Sequence, residues 1–241
     1  MEKLIEIRKV KNPLISVIIP TYNEEKYIEP TLIAISHQTL NRKKYEIIVS
    51  DSNSKDKTLK IAKKYADKIV VTNKRGIALA RNLGAEYAKG KYLVFIDADT
   101  LILPTMLEEL LKYFKKYDLV YPRVWTYNSN LLYSFYYLIY NFAISILKYF
   151  KPQAAGYFIA IKKEIFEKIN GFNEKLVTHE DIDLIIRASK FGKIQILNIP
   201  VIVSIRRFEK EGKIKLALKY FIYFLLFNIF GIYMKKYDPI R

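Results

Sequence analysis

Asp97 and Asp99 stand on either side of Ala98, just after the apolar run Tyr92-Leu93-Val94-Phe95-Ile96. That run has the β-branched and aromatic character of a buried strand. Both acids are therefore carried to its carboxyl end, the rim where open α/β sheets bind ligands. Alternation along an extended chain sets the two carboxylates on the same side. Two hard oxygen donors so placed can hold Mg2+ or Mn2+ and leave coordination positions open for phosphate oxygens. Asp is also common in a solvated loop after a strand, so the surroundings must decide between the two readings. A second acidic pair, Glu180-Asp181, lies at the start of a helical pattern in which Ile182, Ile185 and Ile186 face the core and Gly192 closes the helix. A carboxylate within hydrogen-bond reach can take the proton of a hydroxyl. Acids in a first helical turn also complement the helix dipole without doing chemistry.

The elements that must position these groups follow in order. Ile15–Ile19 reads as a strand ended by Pro20, and Thr21 to Glu25 as a turn opening a helix, with Thr21 or Asn23 as its N-cap and Ile28, Leu32 and Ile35 on one face. Glu46–Ser50 is a second strand, Asp51-Ser52-Asn53-Ser54 a polar turn, and 56–65 a helix. Lys68–Thr72 is a third strand, and 76–88 an alanine-rich helix stopped by Gly90. After the Asp97/Asp99 strand come a helix at 104–115, a strand at 118–121, an apolar helical stretch at 130–150, a strand at 156–161 and a helix at 162–169. Short strands at 194–197 and 201–204 flank Pro200. Strand–helix alternation at this spacing predicts a mostly parallel sheet with right-handed crossovers, which gathers the polar turns on one rim. Neither GxGxxG nor GxxxxGK[ST] occurs, which disfavours an ordinary dinucleotide or ATP site.

At 241 residues, half of them hydrophobic, the chain fits one domain with a large core and not a disordered segment. It has no cysteine, hence no disulfide framework and no thiolate metal site, which fits an intracellular protein. Residues 1–11 mix acids and bases without an apolar run, unlike a secretory signal. The formal charge of +17 admits nucleic acid, an anionic membrane or a polyphosphate substrate as partner. Lysine is spread along the chain, with enrichment beside apolar segments: Lys148 and Lys151; Lys210, Lys213, Lys215 and Lys219; Lys235 and Lys236. That placement favours a membrane surface, with a general solvated lysine coat as the alternative. No nucleic-acid recognition motif supports the nucleic-acid reading.

The segments Val17-Ile18-Ile19-Pro20-Thr21-Tyr22-Asn23-Glu24, Ile48-Val49-Ser50-Asp51-Ser52-Asn53-Ser54-Lys55-Asp56-Lys57-Thr58, Arg75-Gly76-Ile77-Ala78-Leu79-Ala80-Arg81-Asn82, Asp97-Ala98-Asp99 and Glu180-Asp181 stand in this order. Together they resemble the family 2 nucleotide-sugar glycosyltransferases of GT-A fold, over about residues 15–205. The resemblance implies an α/β catalytic domain over 1–205 with an apolar helical insert at about 130–150. It implies that Thr21, Tyr22 and Glu24 contact the nucleoside, that Asp51 bonds the base or ribose, and that Arg81 supports the nucleotide or the aspartates. Asp97 would lie near the ribose or sugar, and Asp99 would ligate Mn2+ or Mg2+ bridging the diphosphate of a UDP- or GDP-sugar, with Asp97 the second candidate ligand. Asp181 would be the base of an inverting transfer, and Glu180 would bind an acceptor hydroxyl. Asp183 reads as a cap or surface acid, and His179 as a structural residue or a third metal ligand. Arg206 and Arg207 suit closure over the diphosphate, binding of an anionic lipid, or a solvated turn. No QxxRW-type segment is present, which argues against a processive polysaccharide synthase. Leu101 stands where some polyprenyl-phosphate sugar synthases carry a polar metal-site residue. The acidic pair favours a hydroxyl acceptor over a phosphate that is already an anion. A polyprenyl-phosphate sugar synthase and a non-catalytic nucleotide-sugar or membrane-binding protein remain the alternatives.

Two apolar segments complete the reading, residues 131–147 and 220–234. A spanning helix needs about 20 apolar residues, so both are marginal. The first lies between Asp99 and Asp181, which a single crossing would place on opposite sides of a membrane. It is therefore a core helix, an oligomer contact or a segment in the membrane interface, where its Tyr133, Phe135, Tyr136, Tyr137 and Tyr140 would be at home. Residues 206–241 read as a basic segment and a C-terminal helix. A shallow interfacial anchor is preferred there over a span or packing on the catalytic domain. These features place the protein at the cytoplasmic face of the cell membrane, peripheral or monotopic, with a lipid-linked or glycan acceptor and the option of a homo-oligomer.

Overall fold

The computed structural model describes residues 2–127 and 130–231. The chain begins with an edge strand, β1 (Glu2–Glu6), and continues through β2 (Ile15–Thr21), helix α1 (Ile28–Ser36), β3 (Tyr45–Asp51), α2 (Thr58–Tyr65), β4 (Lys68–Thr72), α3 (Ile77–Glu86) and β5 (Tyr92–Ile96). There follow β6 (Thr100–Ile102), α4 (Met106–Tyr113), β7 (Leu119–Thr126), α5 (Leu131–Leu147), β8 (Phe158–Lys162), α6 (Lys163–Lys168), α7 (Glu180–Ser189), β9 (Ile194–Val203), α8 (Arg206–Glu211) and α9 (Lys213–Phe230). The strands form one nine-stranded sheet in the order β1-β4-β3-β2-β5-β8-β7-β9-β6.

The sheet is mixed, which corrects the expectation of a mostly parallel one. Its run β4-β3-β2-β5 is parallel, as the strand–helix alternation requires. Beyond it β8 pairs antiparallel with both β5 and β7, β9 returns parallel to β7, and β1 and β6 close the edges antiparallel. The crossover rule governs consecutive strand–helix–strand units, and the strands after β5 do not enter the sheet in that way. Strand β2 also runs through Pro20 to Thr21. Its ladder to β5 ends at Ile18, so the missing Pro20 N–H leaves no gap on that side. Strand β9 is continuous through Pro200, which falls where its register with β7 shifts.

Alternation along β2 splits the core in two. Val17 and Ile19 pack with Leu32 of α1, Ala62 of α2 and Leu110 of α4 on one face. Ile18 packs with Leu83 of α3, Phe166 of α6 and Leu184 of α7 on the other. At Gly84 helix α3 lies so close to the sheet that any Cβ would collide with Ile18 Cγ2. The expected N-cap from Thr21 or Asn23 is not made: Tyr27 precedes α1 without a side-chain cap bond.

Helix α5 is no crossing segment. Tyr133, Tyr137, Asn141 and Ile144 form its buried stripe. Asn141 fixes it to β7, accepting from Val124 N at 2.9 Å and donating to Val124 O at 2.8 Å. Helix α9 packs against the segment that follows α5, where Gln153 Nε2 donates to Asn228 Oδ1 at 2.8 Å and Lys151 Nζ to Phe227 O at 3.0 Å. Among the described residues no helix is long and apolar enough to cross a membrane. The expectations for Tyr233, Met234, Lys235 and Lys236 lie outside the described residues.

Candidate active site

The carboxyl ends of β2, β3 and β5 open onto a cavity of about 560 Å3. Asn23 and Asn53 turn the chain after β2 and β3 in the left-handed region (φ 54° and 60°), which Asn tolerates better than most residues. Asp51 is fully buried behind this rim and does not line the cavity. Thr21 Oγ1 donates to its Oδ2 at 2.8 Å, Ser54 N to its Oδ1 at 2.7 Å and Ser54 Oγ to its Oδ2 at 2.6 Å. Asn23 N in turn donates to Ser54 Oγ at 2.8 Å. Asp51 thus ties the two turns together, while Thr21, Tyr22 and Ser52 face the cavity. The Tyr22 ring carries the Arg75 guanidinium at 3.9 Å.

Arg81 is the hub. Helix α3 delivers it to the core side of the cavity, and it is 1% exposed. Its Nη1 donates to Glu180 Oε1, and its Nη2 to Asp97 Oδ1 and to the Gly156 carbonyl, each at 2.9 Å. Burial works against its charge, but Asp97, Glu180 and Asp181 outweigh it and raise its pKa further. The two acidic pairs of the sequence therefore meet on one guanidinium. Gly156 is required by this packing, because a Cβ there would lie 2.7 Å from Arg81 Nη2 and 3.0 Å from Asp181 Oδ2.

Glu180 is pushed up to about 7, by burial first and then by Asp181, with Arg81 opposing. Asp181 is raised in the same way, by burial against the pull of Arg81. Its Oδ1 accepts from Ile182 N at 2.8 Å. Asp183 turns away into an ion pair with Arg187 at 2.6 Å within α7, in keeping with the surface-acid reading. His179 adopts a left-handed conformation (φ 63°) ahead of α7 and stacks on Phe227 of α9, ring centroids 5.2 Å apart. Burial lowers its pKa. A packing role accounts for this placement.

Asp99 is pushed up to about 6: burial raises it most, Arg206 holds it down, and Asp97 and Glu24 raise it further. Arg206 Nε pairs with Asp99 Oδ2 at 2.7 Å, and its Nη1 with Glu24 Oε2 at 2.5 Å, while the guanidinium lies over the Tyr27 ring. Arg207 also lines the cavity. Among the described residues no group of three or more His, Cys, Asp or Glu side chains could hold a metal by itself.

The opposite wall is aromatic. Tyr136, Tyr137 and Tyr140 of α5 and Tyr223, Phe224 and Phe227 of α9 line it, with Tyr157 in the turn just before β8. Ala155 N donates to Tyr140 Oη at 2.7 Å, fixing the loop that presents Gly156. Sequence reasoning missed Arg75, Gly156 and most of this wall. Arg75 was visible beside the helix that bears Arg81, whereas the wall follows from the docking of α5 and α9, for which the sequence holds no signal.

Comparison with known proteins gives a consistent result. The sequence model of glycosyl transferase family 2 matches residues 16–170. An uncharacterised glycosyltransferase of Methanocaldococcus jannaschii is 33% identical over 197 residues, covering 75% of this chain and 66% of that one. The poly(ribitol-phosphate) β-N-acetylglucosaminyltransferase TarS of Staphylococcus aureus is 36% identical over 100 residues, 39% of this chain and 18% of its own length. The crystal structure of S. aureus TarS 1–349 in complex with UDP superposes with a TM-score of 0.66 over 90% of this chain and 72% of that chain, at 21% identity. The mannosyltransferase PcManGT of Pyrobaculum calidifontis, in complex with GDP-Man and Mn2+, gives 0.66 over 80% of this chain and 57% of that chain, at 25% identity. The chain spans at most 66% of the length of these two curated relatives. The α/β architecture with its large mixed sheet matches that of GT-A glycosyltransferases.

Proposed function

The chain belongs to glycosyl transferase family 2, and on that premise we propose that it transfers a sugar from a nucleotide diphosphate sugar to an acceptor hydroxyl, with inversion and with Mn2+ or Mg2+ as cofactor. The observation that carries this reading is the convergence of Asp97 and Glu180 on Arg81, which sets the donor-side acids and the Glu180-Asp181 pair in one cavity. Tyr22 and Arg75 form a stacked platform at the nucleoside end. Asp51 shapes the turns that present Thr21 and Glu24. Donors of the UDP- or GDP-sugar type are the ones to test, given the ligands of the TarS and PcManGT structures.

The residues present fit a divalent ion. Asp97 and Asp99 offer hard carboxylate oxygens, and Glu24 adds a third negative charge on the Arg206 side. Burial holds Asp99 against ionisation, a strain that a bound cation relieves. Diphosphate oxygens would complete a ligand set too small to close on its own. When bound, the ion supplies Lewis-acid stabilisation of the leaving diphosphate. The protein's own groups do the rest. Arg206 and Arg207 offer guanidinium donors to the phosphates. Asp181 takes the proton of the acceptor hydroxyl as that oxygen bonds the anomeric carbon, while the bond to the diphosphate breaks on the opposite face. Arg81 holds Glu180 and the Gly156 loop beside it.

The test is a thermal-shift panel with UDP and GDP, each with and without Mn2+, on the wild type and on Asp99→Ala and Asp181→Asn. Ligand binding to the native state raises Tm by mass action. A metal-dependent shift with one diphosphate should vanish in Asp99→Ala and persist in Asp181→Asn, while sugar transfer is lost in both. Full transfer by Asp99→Ala would sink the metal assignment. Transfer surviving in Asp181→Asn would move the base elsewhere or make the acceptor a phosphate.

A further inference from the structure

Helices α5 and α9 are apolar on two sides. Their inner faces wall the cavity through Tyr137 and Tyr140, and through Tyr223 and Phe227. On α5 the outward face exposes Leu131 (84%), Phe135 (60%), Leu138 and Phe142 (67%), recurring at helical spacing. On α9 it exposes Leu218, Phe221, Ile222 and Leu225, again at three- and four-residue steps. Trp125, near the end of β7, and Tyr127, just past it, are exposed as well. Large apolar side chains exposed in this number mark an interaction site.

Charge selects the partner. No Asp or Glu occurs between Asp118 and Glu164, nor between Glu211 and Asp238, whereas both intervals carry Lys or Arg. Exposed Arg123 and Lys215 border the two apolar faces. A second copy of the chain would bring surfaces of one sign together, which is unfavourable, and lysine is depleted from protein–protein interfaces. An anionic bilayer satisfies both features: its acyl region takes the aromatic and aliphatic side chains, and its headgroups take the cations. With no described helix able to cross, the contact is in-plane. We propose that the outward faces of α5 and α9 form an in-plane docking surface for an anionic lipid bilayer. The helices that wall the cavity then rest on the membrane, and the acceptor hydroxyl belongs to a lipid-linked molecule. This choice of acceptor rests on the transferase reading; the docking surface does not.

The experiment is flotation of the full chain with phosphatidylcholine vesicles and with vesicles containing 30% phosphatidylglycerol, at low and high NaCl. Partition into the anionic vesicles should exceed that into neutral ones by about tenfold or more and weaken with salt. The pair Phe135→Ser and Phe142→Ser, and separately Phe221→Ser and Leu225→Ser, should each lower it by about tenfold. All of these side chains are exposed, so the Tm and its nucleotide-dependent shift should match the wild type. Wild-type partition in either pair, absence of partition at low salt, or a lipid-free dimer abolished by the same substitutions overturns the proposal. Failure of the transferase reading would appear in the nucleotide shifts and leave vesicle partition as it is.

Discussion

Arg81 shows how much one side chain organises here. Its guanidinium is buried among Asp97, Glu180 and the Gly156 carbonyl, so removing it leaves the buried Glu180 and the partly exposed Asp97 without their cation. Breaking a buried pair in this way costs about 3–5 kcal/mol, and urea denaturation of Arg81→Ala should show a loss of that order. Glu180 gives the complementary prediction. Its pKa is pushed up to about 7, by burial and then by Asp181. Between the ordinary carboxylate range and about pH 7 the folded protein therefore holds a proton that the unfolded chain has released. Stability from this group is lost as pH rises through that window. Glu180→Gln removes the titration while keeping an acceptor for Arg81 Nη1. The Tm of the variant minus that of the wild type should grow more positive from pH 5 to pH 8, and a flat difference would refute the assignment.

The elements hold these side chains by backbone approach as much as by side-chain packing. Gly156 admits Arg81 and Asp181 where any Cβ would intrude, and both neighbours are pinned by hydrogen bonds. Gly156→Ala should cost about 1–3 kcal/mol of stability, as overpacking does, with loss of transfer out of proportion to it; equal kcat in variant and wild type would count against Asp181 as base. At α5, Asn141 bonds both backbone groups of Val124, and Asn141→Leu should cost about 1–3 kcal/mol in a denaturant titration by orphaning them. The parallel strands were legible because burial on both faces writes them as apolar runs, as in Ile15–Ile19 and Ile47–Val49. Strand β1, Glu-Lys-Leu-Ile-Glu, was not, because an exposed edge strand carries no burial pattern. Strand β6 is only three residues long. The antiparallel half of the sheet was hidden for a different reason: pairing direction depends on how loops and α5 route the chain, and side-chain periodicity is blind to it. The acids of the site were legible by type and spacing, whereas Gly156 and the aromatic wall exist only through tertiary approach.

Across the whole molecule the site is assembled from segments far apart in sequence, and Arg206 makes the longest link. It lies 182 residues from Glu24, yet it bonds that carboxylate and pairs with Asp99. The C-terminal helices are thereby fastened to the cavity rim by the acid proposed to ligate the metal. Arg206 and a cation compete for Asp99, but a metal-bound diphosphate offers the guanidinium a new anionic partner. Arg206→Gln should therefore act in opposite senses on the two ligands. At pH 8 Mn2+ alone should bind about tenfold more tightly to the variant, because no ion pair has to break first. The nucleoside diphosphate in saturating Mn2+ should bind about tenfold more weakly, because one guanidinium is gone. Calorimetric titration of each ligand reads both. Weakening of the two together would make Arg206 a structural strut for Glu24 and Asp99. Strengthening of Mn2+ with no change for the nucleotide would place the diphosphate out of its reach. Only the crossed result identifies Arg206 as the group that passes from the metal site to the donor as the site fills.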